Sequence, residues 1–487
     1  MADRDDLLRR GCVAILVCLL FTVLTVGAPR ARAAPLSAPT FTVNSISDVV
    51  ASPPLDSGPC ETAPGNNTCT LRAAIMKANH WPGGGATILF GPQVSGIPIV
   101  LERPASGTDD ETVGDLNITQ TVTIRGSGAS NTIIDGNGSV THDRVFRIGP
   151  GIMVTISGVT IQGGKGAIND GGGLLNYGVL RLNQSAVLSN TAYLGGGILV
   201  VGSLTLDDST IAGNDASGFG GGISNYNSTM AVYSSTIRNN TAGNDGGGIY
   251  SANTNTTLLN TAVSANTASG VGGGLVSNGG TATVVNSTVS GNQADADGGG
   301  IWNGCYNCPS ELNLFNATIA NNRADAQLTG GGTGGGVYNR AENDHIVNLQ
   351  NSLIADNLAS DYDPERMVYF FTPNDCYGAL TSQRYNQVSD KPTDCTLGGD
   401  LSGVISNTSA LLGPLQNNGG PTWTHALLPG STAIDAGNPG GCVDQFGAPL
   451  PTDQRGAPRK ANGAGTTRCD IGAFELQRTL GLPLVLK

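Results

Sequence analysis

The stretch 246–268 reads GGGIYSANTNTTLLNTAVSANTA, and it is one copy of a unit that fills the middle of the chain. A glycine triplet followed by an aliphatic residue begins at Gly171, Gly195, Gly220, Gly246, Gly272, Gly298 and Gly334, at spacings of 24, 25, 26, 26, 26 and 36. In step with it run QSAVLSNTA, DSTIAGNDA, SSTIRNNTA, NTAVSANTA, NSTVSGNQA, NATIANNRA and NSLIADNLA. These align Asn190, Asn214, Asn240, Asn266, Asn292, Asn322 and Asn357 in one column. Two signals locked at one period mean stacked supersecondary units, none of which buries its apolar face alone.

Each unit holds three short segments of β-forming residues. One follows the triplet, as in Leu174 and Leu175 or Ile198 and Leu199. A second is 179–182 or 203–206, and the third carries Val187, Ile211, Ile237, Val263, Val289, Ile319 and Ile354. Three strands and three corners in about 25 residues make one coil of a parallel β-helix. With 72 Gly in the chain, and each costing about 1 kcal/mol inside a helix, a mainly helical fold is unfavourable; the β-branched runs favour strands. Leucine-rich repeats are the other solenoid to weigh, but their Leu spacing and their helix per repeat are absent.

Coils stack at about 4.8 Å, so inward aliphatic residues form dry columns and roughly ten coils give a rod on the order of 50 Å long. The Asn column is placed to hydrogen-bond from coil to coil. A further column, Asn260, Asn286, Asn316 and Asn351, is placed to do the same. The glycines supply positive φ or close backbone approach at the opposite corner.

Residues 1–33 read as a cleaved export signal: Arg4, Arg9 and Arg10, an apolar run from Gly11 to Val26, then Ala31, Arg32 and Ala33. The run is shorter than the ~20 residues of a spanning helix. Cleavage removes five Arg and three Asp and takes the net charge from -12 to -14, which excludes binding nucleic acid or anionic membrane through bulk charge. Eight cysteines remain in sequence-local pairs, Cys60 with Cys69, Cys305 with Cys308, Cys376 with Cys395 and Cys442 with Cys469. Export favours four disulfides; zinc is the alternative for the CYNC stretch at 305–308.

Thr70 caps an expected helix, Leu71 to Asn79, whose apolar side carries Leu71, Ala74, Ile75 and Ala78. The stretch CTLRAAIMKAN, with ATILF, TVTIRGSG, IIDGNG, RVFRI and VTISGVTIQGG after it, resembles the CSLREA domain of secreted bacterial β-helix proteins. Ala73 stands where that motif has Glu. The glycine-triplet units resemble the repeats of polymorphic outer membrane proteins and other pectin-lyase-like β-helices. LGPLQNNGGPTWTHALLPGSTAIDAGNP, TDQRGAPR and CDIGAFE resemble the choice-of-anchor Q domain. The resemblance implies an all-β, right-handed parallel β-helix with a short helical cap and an irregular, disulfide-tied C-terminal module, so that a lid closes each end. The expected organisation is 1–33 signal, 34–115 cap, 116–402 β-helix with insertions at 302–310 and 360–400, 403–475 C-terminal module and 476–487 tail.

Pectin-lyase-like folds host lyases and hydrolases, whose chemistry needs paired acids on neighbouring coils. No column supplies them. Asp170, Asp245 and Asp297 precede triplets, but Leu194, Phe219 and Val271 fill the same position on intervening coils. The four His, at 80, 142, 345 and 425, have no metal spacing. No catalytic residue and no cofactor are assigned. Asp453, Asp470 and Glu475 are calcium candidates, against an ion-pair and turn network in which Arg455 pairs with Asp453 or Asp470. The aromatic insertion supplies ligand-binding candidates, Tyr362, Asp363, Tyr369, Phe370 and Tyr377, because aromatic faces beside carboxylates suit sugars; its other reading is a cover for the last coils.

The leading functional reading is a non-catalytic, secreted or surface-displayed adhesin-like protein. Its partners are extracellular polysaccharide or envelope components. The alternatives are a polysaccharide lyase or glycoside hydrolase and a purely structural coat component. Oligomeric state is not fixed by the sequence.

Overall fold

The computed structural model describes residues 37–106, 110–166, 171–305, 307–341, 344–459 and 468–477. The expected export signal at 1–33, Asp170 and the last ten residues lie outside them. The chain winds as a parallel β-helix. Successive coils pair in register, so Leu174, Ile198, Ile223, Ile249, Leu275, Ile301 and Val337 form one continuous column. Val187, Ile211, Ile237, Val263, Val289, Ile319 and Ile354 form another. Every member of both columns is fully buried, which is the apolar burial that drives stacking.

Each regular coil carries one strand more than expected. The first two strands lie in one sheet and merge in Ile249–Leu259 and Leu275–Val285. The third lies in a twelve-stranded sheet. A short fourth strand follows the Asn corner, as in Thr191–Leu194 and Asp215–Phe219, where the repeated Asn-Thr-Ala reads as a turn. The stack is also longer than ten coils. Thr40–Val43, Ala86–Phe90 and Ile99–Val100, within the expected cap, already pair with the coils that follow.

The link between the two sequence signals is steric. Asn266 Nδ2 donates to Asn292 Oδ1 at 2.9 Å, and the Asn266 backbone N–H donates to the same oxygen at 3.0 Å. The pattern repeats from Asn190 to Asn357. The third glycine of each triplet lies against the Asn of its own coil: a Cβ on Gly248 would sit 3.0 Å from Asn266 Nδ2 and 2.6 Å from the Gly274 carbonyl oxygen. From the second triplet onward the first glycine has φ between +59° at Gly195 and +71° at Gly246, a region costly for other residues. A second ladder runs beside the first. Ser185 N–H donates to Ser209 Oγ, Ser209 N–H to Ser235 Oγ and Thr261 N–H to Ser287 Oγ.

The helix Leu71–His80 covers the first coils. Thr70 Oγ1 accepts from Ala73 N–H at 3.0 Å, and Leu71, Ala74, Ile75 and Ala78 join the main core. Beside Ala73, Arg72 is fully buried, pairs with Asp48 at 2.6 Å and donates to the carbonyls of Glu111, Gly114 and Asp115.

The C-terminal module differs from the expected lid. It lies along the flank, against the outer face of the twelve-stranded sheet. Thr288 donates to Gln454 Oε1 at 2.6 Å, Ser290 Oγ meets His425 Nε2 at 2.7 Å and Ala473 N–H donates to Thr318 Oγ1 at 2.9 Å. The second Asn column serves this docking. Asn286, Asn316 and Asn351 donate to the carbonyls of Thr452, Val443 and Asp470, while Asn286 to Asn260 and Asn351 to Asn316 keep two ladder bonds.

The insertions are smaller than 302–310 and 360–400. Ile301–Gly304 and Ser310–Phe315 continue the stack, and so do Cys376–Gln383 and Cys395–Asp400. The hairpin Leu358–Asp363 with Val368–Pro373 departs from it. Four disulfides join Cys60 to Cys69, Cys305 to Cys308, Cys376 to Cys395 and Cys442 to Cys469. No helix among the described residues is long and apolar enough to cross a membrane.

Candidate functional site

The aromatic candidates do not form one platform. Tyr362 and Tyr369 are cross-strand partners with rings 4.9 Å apart. Phe370 pairs across from Asp361, so it points to the opposite face. Asp363 is a turn residue, accepting from Glu365 N–H and Arg366 N–H. Tyr377 lies elsewhere, in a stack with Tyr338 and Trp302 on successive coils, at 4.8 and 6.3 Å with planes 4° apart. Within that stack Tyr338 covers one face of Tyr377.

The calcium candidates are committed to the protein. Asp453, Asp470 and Glu475 are fully buried. Asp453 pairs with Arg455 at 2.6 Å, and Glu475 pairs with Arg459 at 3.4 Å. Asp470 accepts from the backbone N–H groups of Asp435 and Leu476. Among the described residues, no group of three or more His, Cys, Asp or Glu is arranged to hold a metal.

Asp245 and Asp297 are half-buried, and burial pushes both carboxyls above the usual range. They stand two coils apart in one column with Val271 between them, so their backbones are roughly 10 Å apart at a rise of about 4.8 Å per coil. That lies at or past the upper limit for an inverting pair, about 9.5 Å between the carboxyls, and far beyond a retaining one. One oxygen of each is held by the next coil, Asp245 Oδ1 by Val271 N–H and Asp297 Oδ1 by Thr333 N–H.

A different place has the ingredients of a binding site. Between the twelve-stranded sheet and the C-terminal module lies a cavity of about 350 Å³. The sheet contributes Thr210, Thr236, Arg238 and Ser264, with Asn239 at the adjoining corner. These residues are outward because Ile211, Ile237 and Val263, which alternate with them, fill the core. The module contributes Leu415, Pro421 and Trp423.

Trp423 is 55% exposed, but its backbone is fixed. It precedes Thr424–Leu427, which pairs with Leu412–Gln416. On one side Thr422 Oγ1 donates to the Asn260 carbonyl at 3.1 Å and accepts from Gln454 Nε2 at 2.9 Å; the same amide donates to the Trp423 carbonyl at 3.2 Å. On the other side His425 is buried between the Gly413 carbonyl and Ser290. Its desolvation pushes the imidazole below its ordinary pKa, so it is neutral near pH 7. Nδ1–H donates to the carbonyl and Nε2 accepts from the serine hydroxyl.

The cavity thus combines an indole face with a guanidinium, an amide and hydroxyls. Among the described residues, no carboxylate, thiol or imidazole lines it. Such a set can stack on a sugar ring and hydrogen-bond its hydroxyls. The sequence contains this signal only as separate pieces. Arg238 lies in one repeat and Trp423 in an irregular segment 185 positions later, so the flank docking that joins them is invisible before the fold is known.

No protein-family model and no curated protein matches the chain. A solved structure titled "Crystal structure of pectate lyase Pel9A" is similar over 90% of this chain and 96% of that one, with 12% sequence identity and a TM-score of 0.42.

Proposed function

We propose that this chain is an exported, non-catalytic β-helix protein that binds glycan in the cleft between Arg238 and Trp423. The observation that carries the reading is a half-exposed indole, held from both sides by anchored neighbours, over a cavity lined with polar groups and free of acids and bases suited to proton transfer. A rigid aromatic presented before binding loses little entropy when a ring stacks on it. Display at a cell surface, as an adhesin-like or envelope-associated protein, is supported by the export signal read at 1–33 and by the resemblance of the two ends to CSLREA and choice-of-anchor Q domains. The glycine-triplet coils, with their resemblance to polymorphic outer membrane protein repeats, are the scaffold in this reading.

The test is twofold. Titration of oligosaccharides into the purified protein should give binding that Trp423→Ala weakens at least tenfold without lowering the melting temperature. Incubation with polygalacturonate, alginate and related polymers should release no unsaturated or reducing products. Product release would transfer the assignment to a lyase or hydrolase, and unchanged binding by the Trp423 variant would remove the cleft from it.

A further inference from the structure

Arg238 is an exposed cation of this acidic chain. Arg72, Arg144, Arg384, Arg455 and Arg459 each lie against a carboxylate. The Arg238 side chain is exposed, lines the cavity and has no hydrogen bond or ion pair among the described residues. Its counterparts on the coils before and after are Ala212 and Ser264. Neither is charged, and both are small enough to leave the guanidinium accessible. None of the other residues lining the cavity is acidic.

An unpaired guanidinium presents a planar fork of donors that matches carboxylate or sulfate. With 37 acidic against 25 basic residues, the protein as a whole repels anions. An anion held in this cleft is therefore held by a local contact with the guanidinium. A neutral sugar would leave that cation facing hydroxyls alone.

We infer that the cleft takes an anionic glycan, with Trp423 stacking on a ring and Arg238 gripping a carboxylate or sulfate carried by that ring or its neighbour. The inference rests on the glycan-binding reading of the same cleft and adds the chemical class of the ligand. Arg238 is the specificity-determining residue in it, and Trp423 supplies affinity that does not depend on charge.

Three tetrasaccharides of one backbone separate the possibilities: oligogalacturonate, its carboxyl-reduced neutral form and the sulfated neutral form. Each is titrated by calorimetry into the wild-type protein, Arg238→Gln and Trp423→Ala at low and moderate salt. The expected result is at least tenfold tighter binding of one or both anionic forms, with the tighter of the two identifying the anion. That preference weakens with salt and disappears in Arg238→Gln, which binds the anionic forms no more tightly than the neutral one. Trp423→Ala weakens all three. Equal wild-type binding of neutral and anionic forms, or an undiminished preference in Arg238→Gln, overturns the anionic assignment and leaves a neutral glycan cleft. Binding of no tetrasaccharide, or full binding by Trp423→Ala, overturns the cleft reading and this inference together.

Discussion

Asn357 Nδ2 donates to Asp375 Oδ1 at 2.8 Å, and the Asn357 backbone N–H donates to the same oxygen at 3.0 Å. A carboxylate therefore ends the amide ladder that begins at Asn190. Asp375 has no solvent exposure, and burial, aided by nearby Asp390, outweighs its amide donors and pushes its pKa up to about 7. A folded pKa above the unfolded one means the folded state binds the proton more tightly. The stabilisation is full below about pH 4 and is lost as pH rises toward 7. Asp375→Asn removes this slope. Relative to wild type, the variant should gain stability between pH 4 and pH 8, by at most about 4 kcal/mol at ~1.4 kcal/mol per unit. Parallel denaturation curves for the two proteins over that range would refute it.

The contact between Gly248 and Asn266 predicts a non-additive pair. Gly248→Ala places a methyl 3.0 Å from Asn266 Nδ2 and 2.6 Å from the Gly274 carbonyl oxygen, an overpacking that costs about 1–3 kcal/mol. Asn266→Ala strands the backbone and side-chain donors of Asn240, both of which use Asn266 Oδ1. Each stranded buried donor costs about 1–3 kcal/mol. In the double variant the shortened Asn266 side chain relieves its own contact with the methyl and leaves the one with the Gly274 carbonyl, so the loss should fall below the sum of the singles by about 1 kcal/mol. Urea denaturation of all four proteins measures this, and strict additivity would mean the two signals are not in steric contact.

The coils were legible in the sequence because each requirement recurs at the same place in every repeat. Glycine at the positive-φ corner, Asn beside the third glycine and an aliphatic residue at each inward position reinforce one another over seven copies. The Ser and Thr ladder was equally visible as the residue after the second Asn column, yet small hydroxyls are common enough to hide it. The flank docking was not legible. It depends on single residues such as Gln454 and His425 meeting Thr288 and Ser290 across more than a hundred positions, and nothing periodic marks them. The aromatic insertion misled for a related reason. Richness in Tyr and Phe gives no register, and one β-hairpin divides neighbouring side chains between two faces.

Arg72 and Asp48 predict a localised weakness in the N-terminal coils. Asp48 pairs with Arg72 through both carboxylate oxygens, and Oδ2 also accepts from the backbone N–H groups of Glu102 and Arg103. Asp48→Ala leaves a fully buried guanidinium without its counter-charge, and breaking a buried pair in this way costs about 3–5 kcal/mol. The expected readout is faster proteolytic cleavage and amide exchange in the segment 40–118, with the coils beyond residue 171 protected as in wild type, since repeat arrays couple mainly to nearest neighbours. A uniform loss of protection along the chain would show that the first coils are not a separate unit of stability.

His425 predicts acid release of the C-terminal module. Its folded pKa lies below the ordinary value of 6.5 because burial disfavours the imidazolium. In the released module the ring returns to ordinary behaviour, so release takes up a proton between the two values. Docking is at full strength above about pH 6.5 and weakens as pH falls from there toward the folded pKa. Protonation also converts Nε2 from an acceptor into a donor opposite the Ser290 hydroxyl, which accepts as well as donates and so only reorients; the cost is mainly the buried charge. Trp423 lies two residues away, so its fluorescence should shift to longer wavelength as pH is lowered, before the far-ultraviolet β signal is lost. His425→Gln, which keeps a donor and an acceptor but does not titrate, should hold the Trp423 emission constant over the same range. If wild type and variant shift at the same pH, His425 is not the group that controls docking.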